Sequence, residues 1–181
     1  MTIGAVANRC KVYDEDGNVE AEFDGGLSVR GCRKAADFVN FCDAFNIPVL
    51  SLTNVEAYHA TMCSERNIAS SVAKLTYAFA NATVPKVNVI IGKAYGSAYI
   101  TMNSKALGAD LVYAWPQAEI GMMDANLAAK IMYAEESAEV IRQKAAEYEA
   151  MQTSPFGCGR KRICRCGDRS ERYKKISGRC I

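Results

Sequence analysis

Short apolar runs alternate along the chain with longer segments in which apolar residues recur every three or four positions. The short runs are typical of buried strands, and the recurrence is typical of amphipathic helices. Strands are expected at residues 3–7, 49–52, 87–92, 110–113 and 119–122. Helices are expected at 67–81, from the turn at 93–97 to about 107, at 125–133, at 138–151, and around Ala35, Phe38, Val39, Cys42 and Phe45. Long helices between strands predict an α/β fold with a mostly parallel sheet.

Polar residues mark the ends of some of these elements. Asp16-Gly17 lies between the short apolar segments 12–13 and 19–23, which predicts a hairpin turn. Asp124 directly precedes the segment 125–133, and its carboxylate is expected to cap the first turn of that helix. Residues 54–66 are polar and irregular, so we expect them to form a loop.

Composition adds little to this picture over most of the chain. Hydrophobic residues make up 50% and charged residues 23%, with a formal net charge of +2. These values are normal for a globular domain and give no overall bias toward nucleic acid or acidic membranes. The N-terminus lacks the features of a signal peptide, so a cytoplasmic protein is expected. Cys10, Cys32, Cys42 and Cys63 are expected to be reduced, mostly packed thiols.

The segment Gly92-Lys93-Ala94-Tyr95-Gly96-Ser97-Ala98-Tyr99 carries the most chemical information. Small residues where a strand ends and a helix starts leave backbone N–H groups exposed, and these groups can stabilise an oxyanion. The simpler interpretation is tight packing between strand and helix, which favours the same residue types. The segment lacks both the Gly-Lys-Ser/Thr ending of a P-loop and the Gly-x-Gly-x-x-Gly pattern of dinucleotide-binding folds.

Other candidate residues have ordinary structural explanations. His59 could act as a general base, but no Ser or Cys motif accompanies it, and a surface histidine is the simpler interpretation. Glu119 and Asp124 could form a carboxylate pair, although helix capping already explains Asp124. Trp115-Pro116 could line a ligand cleft or pack against the sheet edge, and both interpretations stay open.

Several strings occur in the order and spacing of one known family. They are Phe-Cys-Asp-Ala-Phe-Asn-Ile-Pro at 41–48, Ala-Thr-Val-Pro-Lys-Val at 82–87, the segment at 92–99, Asn-Ser-Lys at 103–105, Gly-Ala-Asp at 108–110 and Ala-Trp-Pro at 114–116. Over residues 3–155 the chain resembles the C-terminal half of biotin-dependent acyl-CoA carboxyltransferases. That group includes propionyl-CoA carboxylase β subunits and methylmalonyl-CoA decarboxylase α subunits. The resemblance implies a single-domain crotonase-like (ClpP/crotonase) fold of repeated ββα units.

Members of this family transfer a carboxyl group between biotin, carried on a partner protein, and an acyl-CoA. By position, the family's Gly-Gly-Ala turn, which holds the biotin-side oxyanion, corresponds to Gly96, Ser97 and Ala98. The resemblance assigns the N–H groups of Ser97 and Ala98 as its donors. Ser97 fits in place of the family's second Gly only if its φ is negative. The resemblance implies no metal.

The same resemblance places substrate-binding positions at Tyr95, Ile100, Val55, Ala57 and Tyr58. Propionyl-type enzymes carry Asp where this chain has Ile100, which argues against assuming propionyl-CoA as the substrate. The family's Asp-Val-Pro-Gly-Phe reads Asn-Val-Glu-Ala-Tyr at 54–58. This difference predicts a reshaped wall of the biotin cleft.

The family's N-terminal half, which binds most of the acyl-CoA, has no counterpart in these residues. The resemblance therefore implies two protein partners, a biotin carboxyl carrier protein and an N-terminal carboxyltransferase half or subunit. It also implies a homo- or hetero-oligomer, with no nucleic acid and no direct membrane insertion. The alternative is a truncated, non-catalytic assembly or binding subunit of a carboxylase or decarboxylase complex.

The basic, cysteine-rich segment 157–181 does not fit the carboxyltransferase-type domain expected over residues 1–156. Its cysteines lack ordinary zinc-ligand spacing, with only Cys164 and Cys166 close together, so a metal site is not favoured over a disordered basic tail. Back-translation with permitted codons, reread one base later, gives the strings Gly-Tyr-Val-Asp and Asp-Thr-Arg-Lys of the family's C-terminal segment. The sequence therefore predicts that this segment is out of frame and disordered, and nucleic-acid binding through it is a weak alternative.

Overall fold

Short strands alternate with helices in the computed structural model, which describes residues 2–8, 10–23 and 25–150 and the backbone of 165–166. The strands are β1 Gly4–Ala7, β2 Lys11–Tyr13, β3 Val19–Glu22, β4 Val49–Val55, β5 Lys86–Tyr95, β6 Leu111–Ala114, β7 Glu119–Gly121 and β8 Arg165–Cys166. The helices are α1 Val29–Ala44, α2 Met62–Asn81, α3 Gly96–Thr101, α4 Ala125–Met132 and α5 Ala138–Tyr148, with a 3-10 turn at Lys105–Leu107. The predicted boundary between residues 156 and 157 lies outside the described residues, and only Arg165–Cys166 of the segment 157–181 is described.

The long strand β5 lies inside a parallel sheet and pairs with two strands in succession along one edge. The order across the sheet is β1, β4, β5, β6, β8, and every pair in it is parallel. β6 pairs with the amino half of β5, and β7 pairs with its last three residues. β2 and β3 form a separate antiparallel hairpin whose turn contains Gly17 at φ +82°, as the Asp16-Gly17 signal predicts. The arrangement confirms the predicted α/β class with a parallel sheet.

Asn54 joins β4 to β5 at a point where the ladder between them is irregular. The register shifts between Thr53 and Val55, and Asn54 Oδ1 accepts a hydrogen bond from the Lys93 N–H at 2.9 Å. A Cβ on Gly92 would lie 2.5 Å from the same oxygen, so no side chain fits there unless Asn54 moves. This contact holds the carboxyl ends of β4 and β5 next to each other.

The core combines apolar side chains from the helices and from the sheet. α1 and α2 pack against each other, and their buried faces join those of the strands in one cluster. Leu75 and Phe79 of α2 and Ile90 and Val112 of the sheet are among its largest fully buried side chains. Burial of each such side chain contributes about 1.5–3 kcal/mol. None of the helices in the described part of the chain is long and apolar enough to cross a membrane.

Several element boundaries differ from the sequence expectation. β4 continues to Val55 rather than ending at 52, so the loop expected at residues 54–66 is shorter. α2 begins at Met62 rather than at residue 67, because Thr61 Oγ1 accepts a hydrogen bond from the Ser64 N–H at 3.2 Å and caps it. β5 continues to Tyr95 rather than ending at 92, because β7 extends the ladder. α3 ends at Thr101 rather than near 107, and Asn103 at φ +54° interrupts the helical path.

The apolar recurrence in α1 marks the wrong face at two positions. Phe45 is 65% exposed and Phe38 is 37% exposed, although the recurrence predicts that both are buried. The buried side chains of this helix are Cys32, Ala36, Val39 and Cys42. These are smaller than phenylalanine, and small side chains at a contact let two helices approach closely.

Candidate active site

The turn between β5 and α3 requires glycine at its first position. Gly96 has φ +56°, a left-handed conformation that L-residues with side chains rarely adopt. A Cβ on Gly96 would also lie 3.0 Å from the main-chain oxygen of Met122. Ser97 is not among the residues with positive φ, so the condition for serine at the second position is met. Gly96, Ser97 and Ala98 are thus the first three residues of α3, as the resemblance aligned them.

The N–H groups of Ser97 and Ala98 lie in the first turn of α3. Tyr95 is the N-cap residue, and its side chain makes no capping hydrogen bond to this turn. N–H groups of a first helical turn have no acceptor within the helix, because the i→i−4 ladder starts further on. The Ser97 side chain is exposed, and that of Ala98 is buried at 3% exposure. The turn therefore presents two neighbouring backbone donors, which is what stabilisation of a negatively charged oxygen needs.

Tyr95 is buried directly before this turn. Its side chain is 4% exposed, and its hydroxyl donates a hydrogen bond to Glu119 Oε2. Burial and the Glu119 carboxylate raise the pKa of Tyr95, so its hydroxyl stays protonated and remains a donor. Glu119 lies on β7, so the bond ties that strand to β5 in addition to the ladder. Glu119, one of the two carboxylates that the sequence suggested as a pair, is thus hydrogen-bonded to Tyr95.

The segment that follows β4 lies beside α3. Tyr58 is half-buried, and its hydroxyl oxygen is 3.1 Å from Thr101 Oγ1. The carbonyl of Ala57 accepts a hydrogen bond from the Leu27 N–H at 2.9 Å, whereas Val55 is fully buried and pairs with Ala94 of β5. The structure thus brings Tyr58 to α3 and places Val55 in the core.

Ile100 and two charged residues lie on the outer side of the site. Ile100 is 45% exposed on α3, so its apolar side chain is accessible. Glu56 pairs with Lys93 at 2.7 Å, with both side chains largely exposed, and this bond raises the pKa of Lys93. Exposed pairs of this kind contribute about 0–1 kcal/mol.

Asp124 has the capping role that the sequence offered as the simpler explanation, and the two interpretations of Trp115 stay open. Asp124 Oδ1 accepts hydrogen bonds from the Asn126 and Leu127 N–H groups at 3.0 and 3.1 Å, which confirms the predicted cap of α4. The Trp115 N–H donates to the Ile90 carbonyl at 2.9 Å, and its side chain is 48% exposed.

His59 lines a cleft of about 590 Å³ next to the Tyr58 segment. The other walls come from β1, from the end of the β2–β3 hairpin and from the start of α1. Cys32 also lines the cleft, and burial raises the pKa of its thiol to about 11, so the thiol is protonated near neutral pH. Sequence periodicity gave no signal for this cleft, because its walls are far apart along the chain.

Comparison with known proteins identifies the family. Residues 1–175 match the family described as carboxyl transferase domain. The putative propionyl-CoA carboxylase beta chain of Bacillus subtilis (strain 168) is 48% identical over 145 residues, which cover 75% of this chain and 29% of that protein. The methylmalonyl-CoA carboxyltransferase 12S subunit of Propionibacterium freudenreichii subsp. shermanii is 38% identical over 162 residues, which cover 86% of this chain and 29% of that protein.

Solved structures agree with these matches. The transcarboxylase 12S hexamer structure with methylmalonyl-coenzyme A and methylmalonic acid bound has a TM-score of 0.79 and 37% identity, and the match covers 84% of this chain and 30% of that chain. The beta subunit of P. aeruginosa geranyl-CoA carboxylase, at 24% identity and a TM-score of 0.76, supports the fold alone. These likenesses confirm the crotonase-like fold expected from the sequence. The chain spans under a third of the length of these relatives. It belongs to the carboxyl transferase domain family.

Proposed function

We propose that this chain forms the biotin side of an active site that transfers a carboxyl group between biotin and an acyl-CoA. The observation that carries the proposal is the turn of Gly96, Ser97 and Ala98, which presents backbone donors at the start of α3 beside the carboxyl end of β5. The family membership and the carboxylase and carboxyltransferase activities of its relatives point to the same reaction.

The residues of the turn fit the chemistry of the group they would hold. Biotin on a carrier protein would supply the carboxyl group and a ureido oxygen that carries negative charge during the transfer. The Ser97 and Ala98 N–H groups would hold that oxygen, and they need no reorganisation because the helix already fixes them. Gly96 lets the turn form without a side chain pressing against the Met122 carbonyl. The hydrogen bond between the Tyr95 hydroxyl and Glu119 fixes the residue directly before the turn.

The rim of the site is proposed to select and contact the substrates. Ile100 is exposed on α3, where an apolar side chain favours contact with an apolar acyl group. Tyr58, which contacts Thr101 of α3, and the exposed Ala57 are proposed as further contact residues, and Val55 is buried in the core. We propose that the acyl-CoA is bound mainly by an N-terminal carboxyltransferase half or subunit. That half and a biotin carboxyl carrier protein complete the assembly in a homo- or hetero-oligomer.

Two substitutions in neighbouring positions test the oxyanion site. Gly96→Ala adds a Cβ at positive φ and against the Met122 carbonyl, so it displaces the donors. Loss of one such donor lowers kcat by about 10²–10³-fold, and we expect a loss of that order. Ser97→Gly is the matched control and should keep activity within about threefold, because glycine accepts the same backbone conformation.

The assay uses the full chain assembled with an N-terminal half and a biotinylated carrier protein, and follows carboxyl transfer to acyl-CoA. If Gly96→Ala folds, assembles and is as active as the unmodified chain, the proposed site is wrong. A non-catalytic assembly subunit is the second candidate, and the departure of residues 54–58 from the family string favours it. That candidate requires that the assembled complex transfers no carboxyl group through this chain while still binding its partners.

Two expectations about the whole protein stay predictions. The out-of-frame origin of residues 157–181 is tested by the genomic sequence, and it fails if no single-base change restores the family's C-terminal strings. The cytoplasmic location is tested by fractionation of the source cells.

A further inference from the structure

A chain of hydrogen bonds runs from Tyr58 to the peptide that carries the Ala98 N–H. The Tyr58 hydroxyl lies 3.1 Å from Thr101 Oγ1, and Thr101 Oγ1 donates to the Ser97 carbonyl at 3.0 Å. A threonine hydroxyl has one hydrogen, and a carbonyl oxygen only accepts. Thr101 therefore uses its hydrogen on Ser97, and Tyr58 must donate to Thr101. Donation in this series of hydrogen bonds therefore runs from Tyr58 to Thr101 and from Thr101 to Ser97.

The last hydrogen bond of this series is made to the peptide unit that carries a proposed oxyanion donor, the Ala98 N–H. The Ser97 carbonyl and the Ala98 N–H belong to the same planar, conjugated peptide unit. A donor on the carbonyl oxygen draws electron density from the amide nitrogen, so the N–H becomes a better donor. The hydroxyl of Thr101, whose side chain is only 3% exposed, also limits rotation of this peptide plane. A bond from threonine to the carbonyl four residues earlier is common in helices, but the additional donor from Tyr58 is not required by helix geometry.

We propose that Tyr58 and Thr101 are positioning residues that strengthen and orient the Ala98 N–H as a donor to the negatively charged oxygen. The inference rests on the proposed function, since it assumes that the Ala98 N–H meets substrate. It assigns Tyr58 a second role beside that of a rim residue. The family string Asp-Val-Pro-Gly-Phe ends in phenylalanine where this chain has Tyr58, so the hydroxyl group is an addition to that pattern.

The first test needs no activity. Amide proton and nitrogen chemical shifts of Ala98 are measured by NMR in the full chain and in Tyr58→Phe, Thr101→Val and Thr101→Ser. Tyr58→Phe and Thr101→Val should move the Ala98 proton upfield, and Thr101→Ser should retain the shift of the unmodified chain. Tyr77→Phe is the matched control, because Tyr77 lies on α2 and is 68% exposed. An Ala98 resonance that is the same in all variants would overturn the relay.

The second test measures carboxyl transfer in the assembled complex. Cooperative strengthening amounts to about 10–30% per hydrogen bond. For a bond to a charged oxygen we therefore expect Tyr58→Phe to lower kcat about 1.3- to fivefold, with KM for both substrates unchanged. Thr101→Val should have a similar effect, and Thr101→Ser should restore the rate. A merely structural role would instead lower the melting temperature without this split between kcat and KM.

The outcomes separate this inference from the proposed function. An altered Ala98 shift with unchanged kcat, in a complex that Gly96→Ala inactivates, overturns the positioning role and leaves the proposed function in place. If Gly96→Ala is also fully active, the proposed site itself is wrong and the positioning role fails with it. A changed shift together with a lower kcat and an unchanged KM supports the inference.

Discussion

The two ends of β5 use a lysine side chain in opposite ways. At the amino end, Lys86 is 6% exposed, and its Nζ donates to the Phe79 carbonyl at 2.8 Å and to the Ala82 carbonyl at 2.9 Å. At the carboxyl end, the Lys93 side chain is 40% exposed and pairs with the exposed carboxylate of Glu56. The first lysine satisfies carbonyls at the end of α2, which have no partner within the helix. The second lies on the surface.

The backbone also differs between the start of the strand and the turn that follows it. The Lys86 N–H donates to Asp110 Oδ2 at 2.7 Å, so the start of the strand is bonded to a side chain as well as to its ladder. After the carboxyl end, the N–H groups of Ser97 and Ala98 have no acceptor within α3. Buried backbone groups are normally paired, and unpaired ones at an accessible turn are available to a ligand. We infer a division of roles along this strand, in which a buried lysine stabilises the amino end and the proposed oxyanion donors follow the carboxyl end.

The largest expected effect on stability is that of Lys86→Met. The substitution keeps the apolar stem but removes a charged donor from two carbonyls of α2. A hydrogen bond to a charged group is worth about 1.5–3 kcal/mol, so we expect a loss of about 2–4 kcal/mol in the free energy of unfolding. Urea denaturation of the full chain measures it. A loss below about 1 kcal/mol would show that the buried ammonium group costs nearly as much as it contributes.

A smaller effect with a defined pH dependence is expected for Asp43→Asn. Asp43 Oδ1 accepts hydrogen bonds from the Thr83 N–H at 2.7 Å and from the Val84 N–H at 3.2 Å, just before β5. The bond from the Thr83 N–H is the main cause that lowers the pKa of Asp43. Because the pKa is lower in the folded state, the stabilisation is fully present above the pKa of the unfolded chain, and it is lost as pH falls through the folded value.

We expect Asp43→Asn to lower the free energy of unfolding by about 1 kcal/mol near neutral pH, since asparagine keeps an acceptor but loses the charge. The difference from the unmodified chain should shrink as the pH falls to the lowered pKa of Asp43 in the folded state. Urea denaturation at several pH values follows this trend, and Asp37→Asn on the exposed side of α1 is the matched control. A difference that stays constant down to that pH would contradict the role of the Asp43 charge.

The sequence predicted the location of β5 and of the turn after it better than it predicted the contacts at the two ends of the strand. The apolar run at 87–92 located β5, and ordered family strings located the turn of Gly96, Ser97 and Ala98. The extension of β5 to Tyr95 depends on β7, which follows more than twenty residues later in the chain. The burial of Lys86 depends on carbonyls of α2, and a lysine next to a proline gives no local sign of that contact. Pairing partners that are distant in sequence explain both omissions.

The predictions of the buried face of α1 and of the first residue of α2 were wrong for a more local reason. α1 carries two apolar stripes, one of aromatic residues and one of smaller residues, and periodicity alone does not say which one meets α2. The start of α2 had a readable signal in Thr61, with Glu65 in the first turn, because Ser or Thr ahead of an acidic residue is typical of a helix N-terminus. The bond between Tyr58 and Thr101 had no signal, since it joins residues 43 positions apart.

The smallest effect on stability is expected at the carboxyl end of the strand. Lys93→Met is the same substitution in the same strand as Lys86→Met, but it removes only an ion pair whose side chains are 40% and 50% exposed. Exposed pairs contribute about 0–1 kcal/mol, so the change in the free energy of unfolding should lie within that range and diminish at high salt. Urea denaturation at low and high salt measures both. A loss as large as that of Lys86→Met would mean that the carboxyl end is held as firmly as the amino end, and the division of the strand into a stabilising end and a binding end would be wrong.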